Sequence, residues 1–235
     1  MISLNKNSLL AVFFIFAPFV LCAQEAAPQT GTNSTQTEKS WDFFFTLGPS
    51  VYVNTGNSKT SAPNPVSFTP GIGFDFFNGK AIGLQTALSF FSTYNLWDGQ
   101  NARPAEVENR EANTINFLLD IDGTKKFVYG KNIFEVSAGA GFLIRYGFLA
   151  NGVDDDEEGT ASGKTVKDDI NSINDWYYSG MNFLYPNVGF CWLRDFEGTW
   201  NAGLSLKYYV PLGALMDGRG MDTSIIAISV KALRK

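Results

Sequence analysis

Asp120 and Asp122 stand two residues apart in the chain, and two carboxylates on one face of a strand can carry general acid–base chemistry. An active site also needs a nucleophile and an orienting group. The chain contains no histidine, which excludes a Ser-His-Asp or Cys-His nucleophile, an imidazole base and a histidine metal site. Its two cysteines, Cys22 and Cys191, lack metal-binding spacing. The sequence therefore predicts a protein that is not an enzyme, with no catalytic residue, cofactor or metal.

An acidic run is the second group of residues that could do chemistry. It consists of Asp154, Asp155, Asp156, Glu157 and Glu158. Calcium needs several oxygens at alternating positions around a fixed glycine, and a straight run does not provide them. The run is predicted to be a solvated loop, and surface binding of a cationic partner is the alternative interpretation.

The segment after this run resembles a phosphate-binding loop only superficially. The glycines of Gly159–Lys164 stand one residue closer together than that motif requires, and no parallel-sheet context surrounds them. Val166, Ile170 and Ile173 follow at helical spacing. They predict a short amphipathic helix that folds onto the rim of the domain.

Other charged and amide residues recur on one face of alternating segments. In residues 133–148, large apolar residues at even positions alternate with mostly small or charged residues at odd positions. A period of two indicates strands with two chemically different faces. The polar candidates on the small-residue faces are Asp75, Gln85, Asp120, Asp122, Glu135, Arg145, Lys207 and Lys231.

This alternation predicts an even number of long antiparallel strands. The eight predicted strands span residues 41–53, 67–77, 81–96, 113–128, 132–148, 180–195, 200–212 and 223–233. Most exceed the roughly 5–6 residues of soluble strands and reach the roughly 9–11 that cross a membrane. Short turns at residues 78–80, 129–131 and 197–199 alternate with long loops. Such alternation is typical of an outer-membrane barrel.

The chemistry of the two faces predicts which one meets lipid. The large apolar face carries almost no charge, as a lipid-facing surface requires, whereas Gly, Ser and Asn suit a crowded lumen. Trp41, Trp97, Trp192 and Trp200 near the strand ends match interfacial aromatic girdles. Only 17% of the residues are charged and the net charge is −5, so nucleic acid is not an expected partner.

The N-terminal segment has the pattern of an export signal. Lys6 precedes the uncharged apolar run of residues 9–23, which is too short to cross a bilayer as a helix. Residues 1–23 are predicted to be a signal peptide, with lipidation of Cys22 as an alternative. Residues 24–39 are polar and predicted to be disordered, and residues 40–235 are predicted to form the barrel.

Together these features resemble the small eight-stranded outer-membrane β-barrel family of OmpA, OmpX and OmpW type. The resemblance implies an all-β, antiparallel up-and-down transmembrane barrel with short periplasmic turns and long extracellular loops. It also implies insertion among the lipids of the outer membrane of a diderm bacterium. The C-terminal residues 232–235 (ALRK) depart from the terminal aromatic residue of many such barrels.

Three functions remain open from the sequence. The resemblance to OmpW-type barrels implies passage or binding of small hydrophobic molecules, which the predicted lumen aromatics Phe44, Phe77, Phe91 and Tyr209 favour. A surface protein or adhesin, whose long loops bind host or surface ligands, is the alternative, and a soluble exported lipocalin-like barrel is the third. Because an eight-stranded lumen is only wide enough for side chains or one small ligand, the polar lumen residues are expected to pair into a salt-bridged plug.

Overall fold

A computed structural model describes residues 41–55, 65–76, 82–160 and 163–234. The predicted signal peptide and polar segment, together with Phe77 and the first short turn, lie outside these residues. Nine strands are present in the described part: β1 Trp41–Val53, β2 Val66–Phe76, β3 Ile82–Trp97, β4 Ala102–Ala105, β5 Ala112–Tyr129, β6 Asn132–Leu149, β7 Leu184–Asp195, β8 Trp200–Tyr209 and β9 Ser224–Arg234.

Eight of these strands close into an antiparallel barrel. The order around the ring is β2-β1-β9-β8-β7-β6-β5-β3, and β2 also pairs with β3. The short strand β4 pairs with the end of β3 outside this ring. The predicted eight-stranded barrel is therefore confirmed, and short turns join β5 to β6 and β7 to β8 in the described part of the chain. Loops 1 to 4 are residues 54–65, 98–111, 150–183 and 210–223.

The two faces of each strand differ as the alternation predicts. On β5, Phe117 and Ile121 are 41% and 45% exposed on the outer wall, whereas Leu118, Asp120 and Asp122 are buried inside. A closed ladder with an apolar outer wall is the form in which β-strands span a lipid bilayer. The protein is an integral outer-membrane β-barrel, and the interpretation as a soluble exported barrel is wrong.

The barrel interior holds the core. A turn-end cluster contains Phe44, Ala87, Cys191, Leu193 and Leu233. A loop-end cluster contains Tyr52, Phe91, Leu118, Leu143, Tyr185, Tyr209 and Ile225. Three of the four predicted lumen aromatics thus lie in these two clusters, which fill the barrel with side chains.

Three features of the long loops differ from the prediction. Strand β7 begins at Leu184, not at residue 180, because Gly180 and Met181 have positive φ angles of 52° and 64° that end extended structure. Strand β8 ends at Tyr209, and Pro211 precedes the short helix α2, Leu212–Met216. Strand β4, which lies within loop 2, was not predicted, because its four residues show no clear alternation.

The helix predicted after the acidic run is present and is longer than its three apolar residues suggest. Helix α1 spans Val166–Tyr178 in loop 3. Its N-terminus carries a capping box, in which Thr165 Oγ1 accepts from the Asp168 amide and Asp168 Oδ2 accepts from the Thr165 amide. No helix in the described part of the chain is long and apolar enough to cross a membrane.

Candidate functional site

Ion pairs between strands cross the lumen, and each of them is called a brace. The first brace joins Lys207 of β8 to β5, which lies three strands away around the ring. Lys207 Nζ lies 2.9 Å from Asp120 Oδ2 and 2.5 Å from Asp122 Oδ2. The Tyr209 hydroxyl donates to Asp120 Oδ2 at 2.8 Å. The Asp120 and Asp122 side chains are only 3% and 1% exposed, so Lys207 is the cation that two poorly hydrated carboxylates share.

A second set of braces lies beside the first. Lys231 Nζ of β9 donates to Glu135 Oε1 of β6 at 2.9 Å, and Gln85 Nε2 of β3 donates to the same oxygen at 3.3 Å. Lys126 Nζ of β5 lies 2.5 Å from Asp75 Oδ2 of β2. Lys231 also lies 4.5 Å above the ring of Phe44, which joins the charged groups to the turn-end cluster.

Within the described residues, the braces and the two apolar clusters occupy much of the lumen. One internal cavity has a volume of about 50 Å³ and is lined by Thr46, Ser89, Asp120, Lys207 and Lys231, among others. This space is large enough for a few water molecules but not for a solute of metabolite size. Oδ1 of Asp120 has no protein partner within the described residues and is a natural site for such a water.

The polar residues singled out in the sequence separate into two groups in the structure. Asp75, Gln85, Asp120, Asp122, Glu135, Lys207 and Lys231 all take part in the braces. Arg145 does not join them and lies at the loop end. Sequence reasoning missed Lys126, although it stands on the same face of β5 as Asp120 and Asp122. The same alternation, continued for four residues beyond Asp122, reaches Lys126.

Helix α1 closes the loop end of the barrel. Its buried face includes Ile173, Trp176 and Tyr177, which pack with Ala102 and Ala112. Tyr177 and Thr114 share a hydrogen bond of 2.8 Å between their hydroxyls. Burial raises the pKa of Tyr177 to about 12, so this hydroxyl stays protonated. The predicted contact of the helix with the rim is therefore a cap over the lumen.

The helix also completes the edge of a strand. Strand β6 continues to Leu149, but its pairing with β7 ends at Phe142. Beyond that point, Asn174 of α1 accepts from the Gly147 amide and donates to the Gly147 carbonyl, both at 2.8 Å. The Tyr178 hydroxyl likewise accepts from the Arg145 amide at 3.2 Å and donates to the Arg145 carbonyl at 2.6 Å. Two side chains thus take the place of a neighbouring strand.

Two arginines hold Trp176 of this cap. The Arg145 guanidinium lies 4.1 Å from the ring centre of Tyr177 and 5.4 Å from that of Trp176. Arg145 also donates to the Asn182 carbonyl at 2.8 Å. The Arg219 guanidinium of loop 4 lies 5.3 Å from the ring centre of Trp176. Cation–π contacts therefore tie loops 3 and 4 to the barrel wall.

Replacing Asn174 by Ala together with Tyr178 by Phe is expected to detach α1 from β6 without unfolding the barrel. The double variant removes the bonds that satisfy the edge of β6, at about 1–3 kcal/mol for each group left without a partner. Hydrogen exchange of the Gly147 and Arg145 amides should accelerate by about tenfold or more. Asn171→Ala is the matched control, because Asn171 lies on the exposed face of the same helix. Unchanged exchange in the double variant would contradict this role of α1.

Ion pairs and buried carboxylates lock the loops together. Arg103 of loop 2 pairs with Asp98 and, at 3.0 Å, with Asp222 of loop 4, which also accepts from the Thr55 amide of loop 1 at 2.8 Å. Burial alone would raise the pKa of Asp98, but hydrogen bonds from Arg103 and from two backbone amides outweigh it and lower that pKa. Glu111 accepts from the amides of Trp97 and Thr160 at 2.7 and 2.5 Å, which joins loops 2 and 3.

The acidic run Asp154–Glu158 lies on the solvent side of this assembly. All five of its residues are exposed. Asp155 forms an ion pair of 3.6 Å with Lys167, a distance and an exposure at which the pair contributes little. Within the described residues, no three or more His, Cys, Asp or Glu side chains come together in a way that could hold a metal ion.

Comparison with known proteins gives general likeness to outer-membrane barrels. No protein-family model matches the chain. No curated protein matches it either. Among solved structures, Neisserial surface protein A matches with a TM-score of 0.49 and 7% identity over 83% of this chain and 96% of that one. OprG of Pseudomonas aeruginosa gives 0.46 and 9% over 83% and 96%. Ail of Yersinia pestis gives 0.39 and 9% over 82% and 98%.

Proposed function

We propose that this protein is a non-conducting outer-membrane barrel that binds a cationic partner at the cell surface through its interlocked loops. The observation that carries the proposal is the filled lumen. Among the described residues, cross-barrel ion pairs, two apolar clusters and helix α1 occupy the lumen, and one cavity of about 50 Å³ lies between them. Passage of small molecules through the lumen has less support, because such a route would require several buried ion pairs to separate.

The described parts of the loops are held together by contacts that prepare a recognition surface. Arg103, Asp222 and Glu111 connect all four loops through charged hydrogen bonds. A surface held in place before binding loses less conformational entropy when a partner arrives. The interlocked loops therefore favour recognition over a role as mere connections between strands.

The charge of loop 3 indicates what kind of partner fits. Residues 150–183 contain eight carboxylates and two lysines. Five of those carboxylates form the exposed acidic run, where Lys167 makes a weak ion pair with Asp155. An uncompensated negative surface attracts cationic ligands and accelerates their association, in a manner that salt weakens.

The test combines conductance with binding on the barrel reconstituted in lipid bilayers. We expect no stepwise ion conductance and a salt-sensitive binding of fluorescent deca-lysine peptide. Changing the run to amides, as Asp154→Asn, Asp155→Asn, Asp156→Asn, Glu157→Gln and Glu158→Gln, should weaken binding by about tenfold or more. The charge-preserving variant Asp154→Glu, Asp155→Glu and Asp156→Glu should bind like the original protein.

Two results would overturn the proposal. Regular conductance steps from the unmodified barrel would show an open lumen. Equal deca-lysine binding by the amide variant and the charge-preserving variant would show that the acidic run does not recognise cations.

A further inference from the structure

In the described part of the barrel wall, the ladder between β2 and β3 stops before the loop end of β2. Strands β2 and β3 pair from Phe76–Leu84 to Gly71–Ser89, and their register contains no pair beyond Gly71. Strand β2 nevertheless continues to Val66, where it still pairs with β1. The ladder stops beside Pro70, a residue that has no backbone N–H to donate. Above it, the Ser67 hydroxyl donates to the Ser92 carbonyl at 2.9 Å across the seam between the strands.

A polar recess lies at the loop end of this seam. Its volume is about 520 Å³, and its lining includes Ser67, Ser92, Tyr94, Glu106 and Glu108. Glu106 and Glu108 are exposed, and no Lys or Arg of the described residues forms an ion pair with either of them. The recess therefore presents two uncompensated carboxylates beside backbone and hydroxyl groups.

An apolar groove lies on the same seam, on the lipid-facing wall. Its volume is about 420 Å³, and its lining includes Phe45, Leu47, Ile72, Leu88 and Phe90. Pro70 and Gly71, where the β2–β3 ladder stops, also line this groove. Pro70 stands three positions after Ser67 of the recess, a distance of about 10 Å along a strand.

We propose that this seam binds one outer-leaflet lipid whose headgroup carries an ammonium group. Its acyl chain lies in the apolar groove, and its ammonium group meets Glu106 and Glu108 in the recess. The stacking of an apolar groove below an acidic recess matches the two ends of such a lipid. A second copy of the chain fits less well, since a symmetric contact here would place acidic loop 2 against acidic loop 2.

The experiment uses native mass spectrometry of the purified full barrel, stripped of lipid and then incubated with one synthetic lipid at a time. Dioleoylphosphatidylethanolamine supplies an ammonium headgroup, and dioleoylphosphatidylglycerol supplies an anionic one with the same chains. We expect one phosphatidylethanolamine to be retained per barrel and phosphatidylglycerol to be retained about tenfold less, because its headgroup is repelled by the two carboxylates.

Two variants test the two halves of the site. Glu106→Gln with Glu108→Gln should remove the preference between the two lipids. Leu88→Trp fills the groove and should lower retention of both lipids by about tenfold. The matched controls are Asp175→Asn with Glu197→Gln, both exposed and away from the seam, and Leu204→Trp on the lipid-facing side of β8. Both controls should retain lipid like the original protein.

The proposal is overturned if the two lipids are retained equally by the original barrel. It is also overturned if either test variant behaves like its control. A dimer that Leu88→Trp dissociates, with phosphatidylethanolamine retention unchanged, would assign the groove to a second copy of the chain.

Discussion

Replacing Lys207 by Met is expected to lower the free energy of unfolding by about 3–5 kcal/mol, because one change leaves two buried carboxylates without their cation. Lys207 Nζ lies within 2.9 Å of Asp120 Oδ2 and 2.5 Å of Asp122 Oδ2. The apolar loop-end cluster lies alongside, and the lumen cavity is large enough for only a few waters. The carboxylates would have to take up protons or repel each other in a poorly solvated space.

The measurement is urea unfolding of the barrel in lipid vesicles, followed by the shift of the folded band in unboiled gels. Adding Asp120→Asn and Asp122→Asn to the Lys207→Met variant should recover most of the lost stability, since no buried charge then remains unpaired. Lys167→Met is the matched control, because Lys167 is 69% exposed in its ion pair with Asp155. The control should change stability by less than about 0.5 kcal/mol. A Lys207→Met variant as stable as this control would refute the lumen brace.

Replacing Gly139 by Ala is expected to destabilise the barrel by about 3 kcal/mol, at the upper end of what overpacking costs. Gly139 of β6 pairs with Asp122 of β5. A Cβ atom at this position would overlap the Ile121 carbonyl oxygen and the Asp122 carboxylate, and would lie 2.7 Å from the Asp122 Cα atom. The substitution therefore separates two wall strands and moves Asp122 away from Lys207.

Gly198→Ala in the last short turn is the control for this substitution. An added Cβ there meets no atom within 4 Å, so the free energy of unfolding should change by less than about 0.5 kcal/mol. The same vesicle unfolding assay compares the two variants. Equal stability of Gly139→Ala and Gly198→Ala would mean that β5 and β6 separate more easily than their close approach implies.

The sequence by itself determined the strands, their inner and outer faces and the asymmetry between short turns and long loops. These properties are local, since alternation along one strand decides which side chains point outward. The apolar positions Phe117 and Ile121 and the polar positions Asp120 and Asp122 were therefore assigned to their correct faces. Helix α1 was visible for the same reason, because Val166, Ile170 and Ile173 repeat at helical spacing.

Only the tertiary structure decided which charges meet and where the wall is interrupted. The partner of Lys231 is Glu135, 96 residues away, and that contact depends on the stagger of the whole ring. Arg145 and Glu135 lie on the same face of β6, yet Arg145 contacts the rings of Trp176 and Tyr177. This difference arises because β6 extends beyond the end of its pairing with β7. The end of the β2–β3 ladder at Gly71 likewise follows from non-local pairing. Periodicity indicates on which face of its strand each side chain lies. Closure of the ring determines which side chains of different strands face one another.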